Sequence, residues 1–299
     1  MKEILSENKL VANLKPGDIG DLPRINLIAL DLDGTTLTCR GLGDDTKRTL
    51  EEMIKRGVEV VIATGRAYAA LPKDVLKIQG IRYLVTSNGA HITEKEKGKV
   101  IYSNCICQDR IQQLHDVLKK NGFGIEVFAR GIPRVSAKYF EEVKAGLHPY
   151  LSREYILKTR NPVDDIYGFL LENKEEIENI NVHFEFLDQK EIMRKELESI
   201  EGVTITSSVP HNLEIGGATT SKGTAVKEVC RILGIQMKNV IAFGDNPNDL
   251  AMITAAGIGV AMGNAEPEVK EGADLITLSN DEEGVAYALR KIMNRPVNI

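Results

Sequence analysis

Near its amino terminus the chain carries Ile25-Asn26-Leu27-Ile28-Ala29-Leu30, an almost unbroken apolar run that stops at Asp31-Leu32-Asp33-Gly34-Thr35. A run of this length without polar alternation reads as a strand buried on both faces, as in a parallel sheet covered by helices. The pattern returns three times. Residues 58–63 end at Thr64-Gly65-Arg66, residues 83–86 at Ser87-Asn88-Gly89, and residues 239–243 at Gly244-Asp245-Asn246-Pro247-Asn248-Asp249. Amphipathic stretches separate the runs. Leu50, Met53 and Ile54 share a helical face before Gly57, and residues 67–78 read as a second helix. Ala225, Val226, Val229, Cys230 and Leu233 line one side of a helix that Gly234 stops. Residues 257–262 and 273–278 are expected as further strands, and about 282–293 as a last helix. Strands alternating with helices predict right-handed crossovers and an α/β fold.

The middle of the chain breaks this grammar. A charged run, Glu94-Lys95-Glu96-Lys97-Gly98-Lys99, is followed by expected strands at 100–103, 124–128, 166–172, 182–187 and 203–207. Helices are expected near 109–120, 137–148 and 189–199, and the alternation in 182–187 predicts a half-exposed sheet. With 299 residues the chain is long enough for two domains. The expected division is an extension or surface helix over 1–24, a core from 25–90 and 212–299, and an inserted α/β domain over 91–211.

Composition excludes several classes. Lys and Arg number 38 against 43 Asp and Glu, a net charge of −5 with no basic tract, and aromatics are only 5%. Nucleic acid is therefore not an expected partner. No apolar run reaches the about 18 residues of a membrane span, and the first residues lack the apolar segment of a secretory signal. Cys39, Cys105, Cys107 and Cys230 form no C-x-x-C pair; Cys105 and Cys107 are expected as free thiols on one face of a strand. Few cysteines in a long chain fit a reducing compartment, so a cytoplasmic location is expected. Oligomeric state is left open.

In an open α/β sheet, ligands bind beyond the carboxyl ends of the strands. Here those ends collect small polar residues and acids. Asp31 and Asp33 share a face if the chain stays extended. With Asp245 and Asp249 beside them, up to four carboxylates crowd one site, which is costly unless a cation offsets them. An all-oxygen donor set that leaves room for water and substrate phosphate suits Mg²⁺. Taken singly, Asp249 is also a plausible helix cap, and Gly34 and Pro247 are ordinary turn residues. Lys222 lies in the first turn of a helix opened by 219–221, where the macrodipole disfavours a cation unless both face a bound anion. Thr64 and Asn88 serve either as helix cap and hairpin turn or as donors to phosphate oxygens. Arg66 is placed as a substrate or surface contact without a catalytic role. His91, His115, His148, His183 and His211 show no paired spacing, and no nucleophile elbow, phosphate-binding lysine loop or dinucleotide fingerprint follows a strand.

These segments carry a family resemblance. Asp31-Leu32-Asp33-Gly34-Thr35 resembles the first signature of the haloacid dehalogenase superfamily, Thr64 the second, Lys222 in Ser-Lys-Gly the third, and Gly244-Asp245 with Asn248-Asp249 the fourth. Residues 260–289 are similar to the Cof-type branch, whose large α/β cap of type C2B sits between the second and third signatures. The resemblance spans about 25–299; Thr36 and Thr38 stand where relatives more often carry apolar residues. It implies a Rossmann-like three-layer core with a parallel sheet and an inserted cap. It also implies a Mg²⁺-dependent phosphatase of small phosphorylated metabolites, sugar phosphates foremost. Asp31 would be the nucleophile and Asp33 the general acid and base. Asp31, the Asp33 carbonyl and Asp245 would hold Mg²⁺, with Asp249 and Asn248 in support. Thr64, Gly65, Asn88, Asn248 and Lys222 would line the phosphate, with Thr64 and Lys222 stabilising developing charge. Arg130, Arg134, His183 and His211 are polar cap residues that stand as substrate contacts or, more simply, as surface. Two other outcomes of the same signatures are a phosphomutase and a non-catalytic phosphometabolite-binding module. A module that only accepts phosphate needs no second acid two residues on, so Asp33 favours turnover.

Overall fold

The computed structural model describes residues 9–15 and 22–293. Its strands, in chain order, are β1 (Leu27–Leu30), β2 (Leu37–Thr38), β3 (Gly41–Leu42), β4 (Glu59–Ala63), β5 (Tyr83–Thr86), β6 (His91–Glu94), β7 (Lys99–Ser103), β8 (Gly124–Ala129), β9 (Ile132–Ser136), β10 (Asn161–Val163), β11 (Ile177–His183), β12 (Val203–Thr206), β13 (Asn212–Gly217), β14 (Val240–Gly244), β15 (Ile258–Ala261) and β16 (Leu275–Ile276). An eight-stranded sheet runs β16-β15-β14-β1-β4-β5-β6-β7. Its six strands from β16 to β5 are parallel, and β6 and β7 add an antiparallel edge. Helices cover both faces. Leu50, Met53 and Leu289 pack with Ile28, Leu30 and Ile62 on one side; Val226, Val229 and Cys230 pack with Ala29, Val61 and Ala242 on the other. This is the α/β core with a parallel-dominated sheet expected from the apolar runs.

The second sheet has six strands in the order β10-β9-β8-β11-β13-β12. In its three central neighbours the side chains alternate. Ile125 and Val127, Ile180 and Val182, and Leu213 and Ile215 pack beneath helices Gln108–Asn121, Ile166–Glu172 and Leu187–Glu198. Glu126 and Phe128, Asn181 and His183, and Asn212 and Glu214 face the other way, toward the core domain.

Strand pairing moves both expected domain junctions. Residues 91–103 belong to the core sheet as β6 and β7, and residues 212–217 belong to the cap sheet as β13, so 91 and 211 are not where the domains part. The chain crosses at 104–107 and 218–221, where Thr220 donates its hydroxyl hydrogen to Asn104 O. Residues 166–172, expected as a strand, form a helix. The Asp165 carboxylate caps it by accepting from Tyr167 N and Gly168 N at 3.1 and 2.9 Å. The apolar run Ile166-Tyr167-Gly168-Phe169-Leu170-Leu171 is too short for its periodicity to separate the two states. Residues 67–78 break at Pro72 into a 3₁₀ turn, Tyr68–Ala70, and a short helix, Lys73–Leu76. The expected 182–187 strand ends at His183, and a helix begins at Leu187. Cys105 and Cys107 are free thiols, as is every cysteine, but they sit in the crossing segment and not on a strand.

Of the expected extension over 1–24, residues 1–8 and 16–21 lie outside the described residues. Residues 9–15 are not a free surface helix: Leu10 pairs with Ile276 beside β16, and Val11 is fully buried in the core. No described helix is long and apolar enough to cross a membrane.

Candidate active site

The site lies at the carboxyl edge of the core sheet. At the end of β1, Asp31 N still donates to Phe243 O at 3.1 Å, which ties the residue to β14. The chain then doubles back, with the amides of Thr35, Thr36 and Leu37 all donating to Leu32 O. Gly34 adopts φ +76 there, and a Cβ on it would fall 2.2 Å from Asp245 Oδ2. Gly34→Ala is therefore expected to lower stability by roughly 1–3 kcal/mol through left-handed strain and displacement of Asp245. Urea unfolding checks this, and an unchanged midpoint would count against the stated contact. Thr36 donates its hydroxyl hydrogen to Asp31 O, and Thr38 does the same to Gly41 O at 2.9 Å. The two hydroxyls thus brace the turn and the β2–β3 hairpin.

Ser221 caps the helix Lys222–Leu233 by accepting from Thr224 N at 3.0 Å. Lys222 is 1% exposed, and its ammonium donates to Asp31 Oδ1 and Asp249 Oδ1, both at 2.7 Å. Asp249 Oδ2 accepts from the backbone N–H of Asp245 at 3.0 Å and of Asn246 at 3.1 Å. Asp249 thus closes the 3₁₀ turn Pro247–Asp249 by accepting from Asn246 N, but its side chain makes no cap bond to the helix Leu250–Ala255 that it precedes, so the simple helix-cap reading does not describe it. Asp245 accepts from Thr35 Oγ1 and from Asn246 Nδ2, each at 2.7 Å. Oxygens of Asp31, Asp245 and Asp249 lie within 4.8 Å of one another.

Three buried carboxylates thus face one buried ammonium. Burial pushes the Asp31 carboxyl well above its usual range; Lys222 opposes this, and Asp249 and Asp245 reinforce it. Burial and the neighbouring Asp249 push Asp245 up to about 7. For Lys222, burial disfavours the charge, but Asp249 and Asp31 outweigh it and hold the ammonium protonated. The uncompensated negative charge and the all-oxygen donor set fit a hard divalent cation such as Mg²⁺.

Asp33 is set apart from that cluster. Its side chain is 57% exposed, and Arg66 clasps both carboxylate oxygens through Nε at 2.7 Å and Nη2 at 2.6 Å. The same guanidinium lies 4.7 Å from the Tyr155 ring centroid in the cap. Arg66, left without a catalytic role on sequence grounds, therefore links Asp33 to the inserted domain. Thr64 is buried, and its Oγ1 accepts from Arg66 N at 3.2 Å.

A cavity of about 550 Å³ opens above these groups, between core and cap. Asp31, Asp33, Thr64, Gly65, Arg66, Lys222 and Asn248 form its core side. Asn88, expected among the phosphate donors, does not line it. Its Nδ2 donates to Glu214 Oε2 at 2.8 Å, and its Oδ1 accepts from Asn248 Nδ2 at 3.1 Å. It acts one step back, in the β5–β6 turn, where Ser87 and Asn88 hold φ of 50 and 57. Cap glutamates steady this turn: Ser87 Oγ donates to Glu178 Oε2 at 2.6 Å, and Asn88 bonds Glu214. Of the four cap candidates, His183 and His211 line the cavity. Arg130 instead pairs with Glu176 beside a separate cleft, and the Arg134 guanidinium sits over Phe169. Glu126, Arg160, Tyr155 and Glu214 were not singled out by sequence. The one available signal was a glutamate in the middle of an apolar strand, which both Glu126 and Glu214 display.

Comparison with known proteins agrees with this geometry. The model of the haloacid dehalogenase-like hydrolase family matches residues 28–289. The chain is 34% identical over 267 residues to 5-amino-6-(5-phospho-D-ribitylamino)uracil phosphatase YcsE of Bacillus subtilis, covering 89% of this chain and 95% of that protein. It is 32% identical over 290 residues to Phosphatase YwpJ of the same organism, covering 90% and 100%. Among solved structures, a haloacid dehalogenase-like hydrolase from B. subtilis matches with TM-score 0.76 and 30% identity over 89% of this chain and 99% of that one. The subclass IIB sugar phosphatase BT4131 matches with TM-score 0.76 and 25% identity over 89% and 98%. The chain belongs to the haloacid dehalogenase-like hydrolases and is a phosphatase of their Cof-type branch.

Proposed function

We propose that this phosphatase is a Mg²⁺-dependent phosphomonoesterase that hydrolyses small phosphorylated metabolites, sugar and polyol phosphates foremost, through a phosphoryl group carried on Asp31. The observation that supports this best is the placement of Asp31. It lies on the cavity floor, one carboxylate oxygen fixed by buried Lys222, with the Asp245 and Asp249 carboxylates beside it. Asp31, the Asp33 carbonyl and Asp245 would hold the cation, Asp249 and Asn248 supporting them. The bound ion would neutralise phosphate charge and this acidic cluster.

The remaining steps belong to the chain's own groups. The free oxygen of Asp31 attacks phosphorus, forming an aspartyl-phosphate as the phosphorus–alcohol oxygen bond breaks. Asp33 protonates the departing oxygen, then takes a proton from the water that releases phosphate. Arg66 occupies both Asp33 oxygens, so the clasp must open before one of them can reach the departing oxygen. Lys222 and Thr64 stabilise the equatorial oxygens, with a single donor of this kind worth about 3–4 kcal/mol. Gly65 leaves room for the Asn88 amide, whose oxygen a Cβ there would approach to 3.1 Å, and Asn248, held by Asn88, completes the phosphate lining. The cap excludes water from the cavity and selects the leaving group. A small-molecule substrate fits the cavity, and the net charge of −5 fits a protein that does not engage nucleic acid.

Three relatives, at 34%, 30% and 30% identity, carry the name 5-amino-6-(5-phospho-D-ribitylamino)uracil phosphatase. That ester places its phosphate on a polyol chain and belongs in any substrate panel. The test is hydrolysis of p-nitrophenyl phosphate and such a panel across a Mg²⁺ titration. Activity should vanish on chelation and return with Mg²⁺. Asp245→Asn should raise the half-saturating Mg²⁺ concentration roughly tenfold or more. An unchanged titration would remove Asp245 from the ligand set.

A further inference from the structure

The cap ceiling of the cavity is a row of side chains set by strand register. Glu126 on β8 is paired with Asn181 on β11, and Asn181 with Glu214 on β13. All three point into the cavity. Glu126 is fully buried, and both its oxygens accept from Arg160, Nε at 2.9 Å and Nη2 at 2.7 Å. His183, stacked on Tyr139 at 6.2 Å between ring centroids, lies 3.4 Å from the same carboxylate. Arg160 also packs over Tyr155 at 4.6 Å, the ring that Arg66 approaches at 4.7 Å. Glu214 accepts from Ser208, Asn88 and Asn212. Asn181 Oδ1 accepts from Asn212 Nδ2 at 3.1 Å, and its own NH₂ donates to no other described residue.

The charge count over this cavity is one-sided. Its lysine and arginines are Lys222, Arg66 and Arg160, and each is held by a carboxylate: Asp31 and Asp249, Asp33, and Glu126. None of these three is left to receive a second anion at the cap end; of the histidines there, His183 lies against Glu126 and His211 is engaged through Nδ1 with Phe184 O, while Glu214 adds an acceptor that makes no salt bridge with a described residue. We propose that Glu126 is a specificity-determining residue: by neutralising Arg160 beneath the Glu126–Asn181–Glu214 row, it restricts the site to monophosphates whose leaving group is uncharged and rich in hydroxyl or N–H donors. This rests on the phosphatase reading above and narrows it. A leaving group with a second phosphate or a carboxylate meets acceptors and a spent guanidinium, and like-charge juxtaposition is strongly rejected in a desolvated site. A donor-bearing leaving group finds carboxylate and amide oxygens.

The experiment uses open-chain ester pairs in which a carboxylate replaces a terminal hydroxymethyl group: glycerol 3-phosphate against 3-phosphoglycerate, and sorbitol 6-phosphate against 6-phosphogluconate. In the wild-type holoenzyme the neutral member should lead in kcat/KM by about tenfold or more. Glu126→Gln, which frees the Arg160 charge, should shrink that ratio, whereas Arg160→Met, which leaves Glu126 unneutralised, should widen it. A wild-type ratio near one, or a folded Glu126→Gln protein with the wild-type ratio, overturns the inference. The wild-type ratio stands even if Glu126→Gln does not fold. Turnover of p-nitrophenyl phosphate separately decides whether the chain is a phosphomonoesterase. Calorimetric binding of the same pairs to Asp31→Asn protein with Mg²⁺ reads the charge preference without turnover, and equal affinities there also overturn it.

Discussion

Asp31→Asn should abolish phosphate ester hydrolysis, by on the order of 10³-fold or more, while leaving the protein folded. The amide cannot attack phosphorus, but its oxygen can still accept the Lys222 hydrogen bond now made at 2.7 Å. The substitution also removes one of three carboxylates crowded within 4.8 Å, one whose charge burial disfavours. Loss of activity should therefore come without a fall in melting temperature. This pairing separates a nucleophile from a structural aspartate, because a structural role would cost stability first. Steady-state kinetics with p-nitrophenyl phosphate, alongside calorimetric melting, would show it. Retained activity would remove Asp31 as nucleophile.

Lys222→Met should have the largest effect on stability and an equally plain effect on catalysis. Among the described residues Lys222 is the one cation held against Asp31 and Asp249, and all three side chains are buried. Removing one partner of a buried ion pair leaves charge uncompensated and costs about 3–5 kcal/mol. Methionine keeps most of the side-chain volume, so the loss reports charge and not a cavity. Urea unfolding measured without divalent cations should show the full cost, and the folded fraction should hydrolyse esters poorly because a donor to the phosphate oxygens is gone. A midpoint near that of the wild type would contradict the triangle of Asp31, Lys222 and Asp249 described here.

The parts of this molecule that were legible in sequence share a physical origin. A strand buried on both faces must be apolar throughout, so its end is marked by the first polar residue, and in this fold that residue faces ligand. Asp31, Thr64 and Asp245 stand at such ends. Lys222 was legible for the opposite reason, as a cation where a helix dipole opposes one. The cap was harder. Ile166-Tyr167-Gly168-Phe169-Leu170-Leu171 carries no periodicity that distinguishes strand from helix, and the capping carboxylate of Asp165 settles it. The domain junctions were misplaced because an antiparallel edge, β6 and β7, continues the core sheet after the parallel pattern ends, and β13 returns to the cap sheet before the next helix. Pairing between strands so far apart leaves no local mark. The Glu126–Arg160 pair was likewise invisible, since its partners are 34 residues apart and meet only when β8 and the cap helices fold together.

The central claim is that one carboxylate, Asp31, carries the phosphoryl group between substrate and water. The most direct measurement is acid quench of a single turnover with Mg²⁺ present, followed by peptide mass spectrometry. A phosphoryl adduct on the peptide bearing Asp31, absent from Asp31→Asn protein, is the predicted result. Rapid turnover with no protein adduct at any quench time, or an adduct on a different residue, would contradict it.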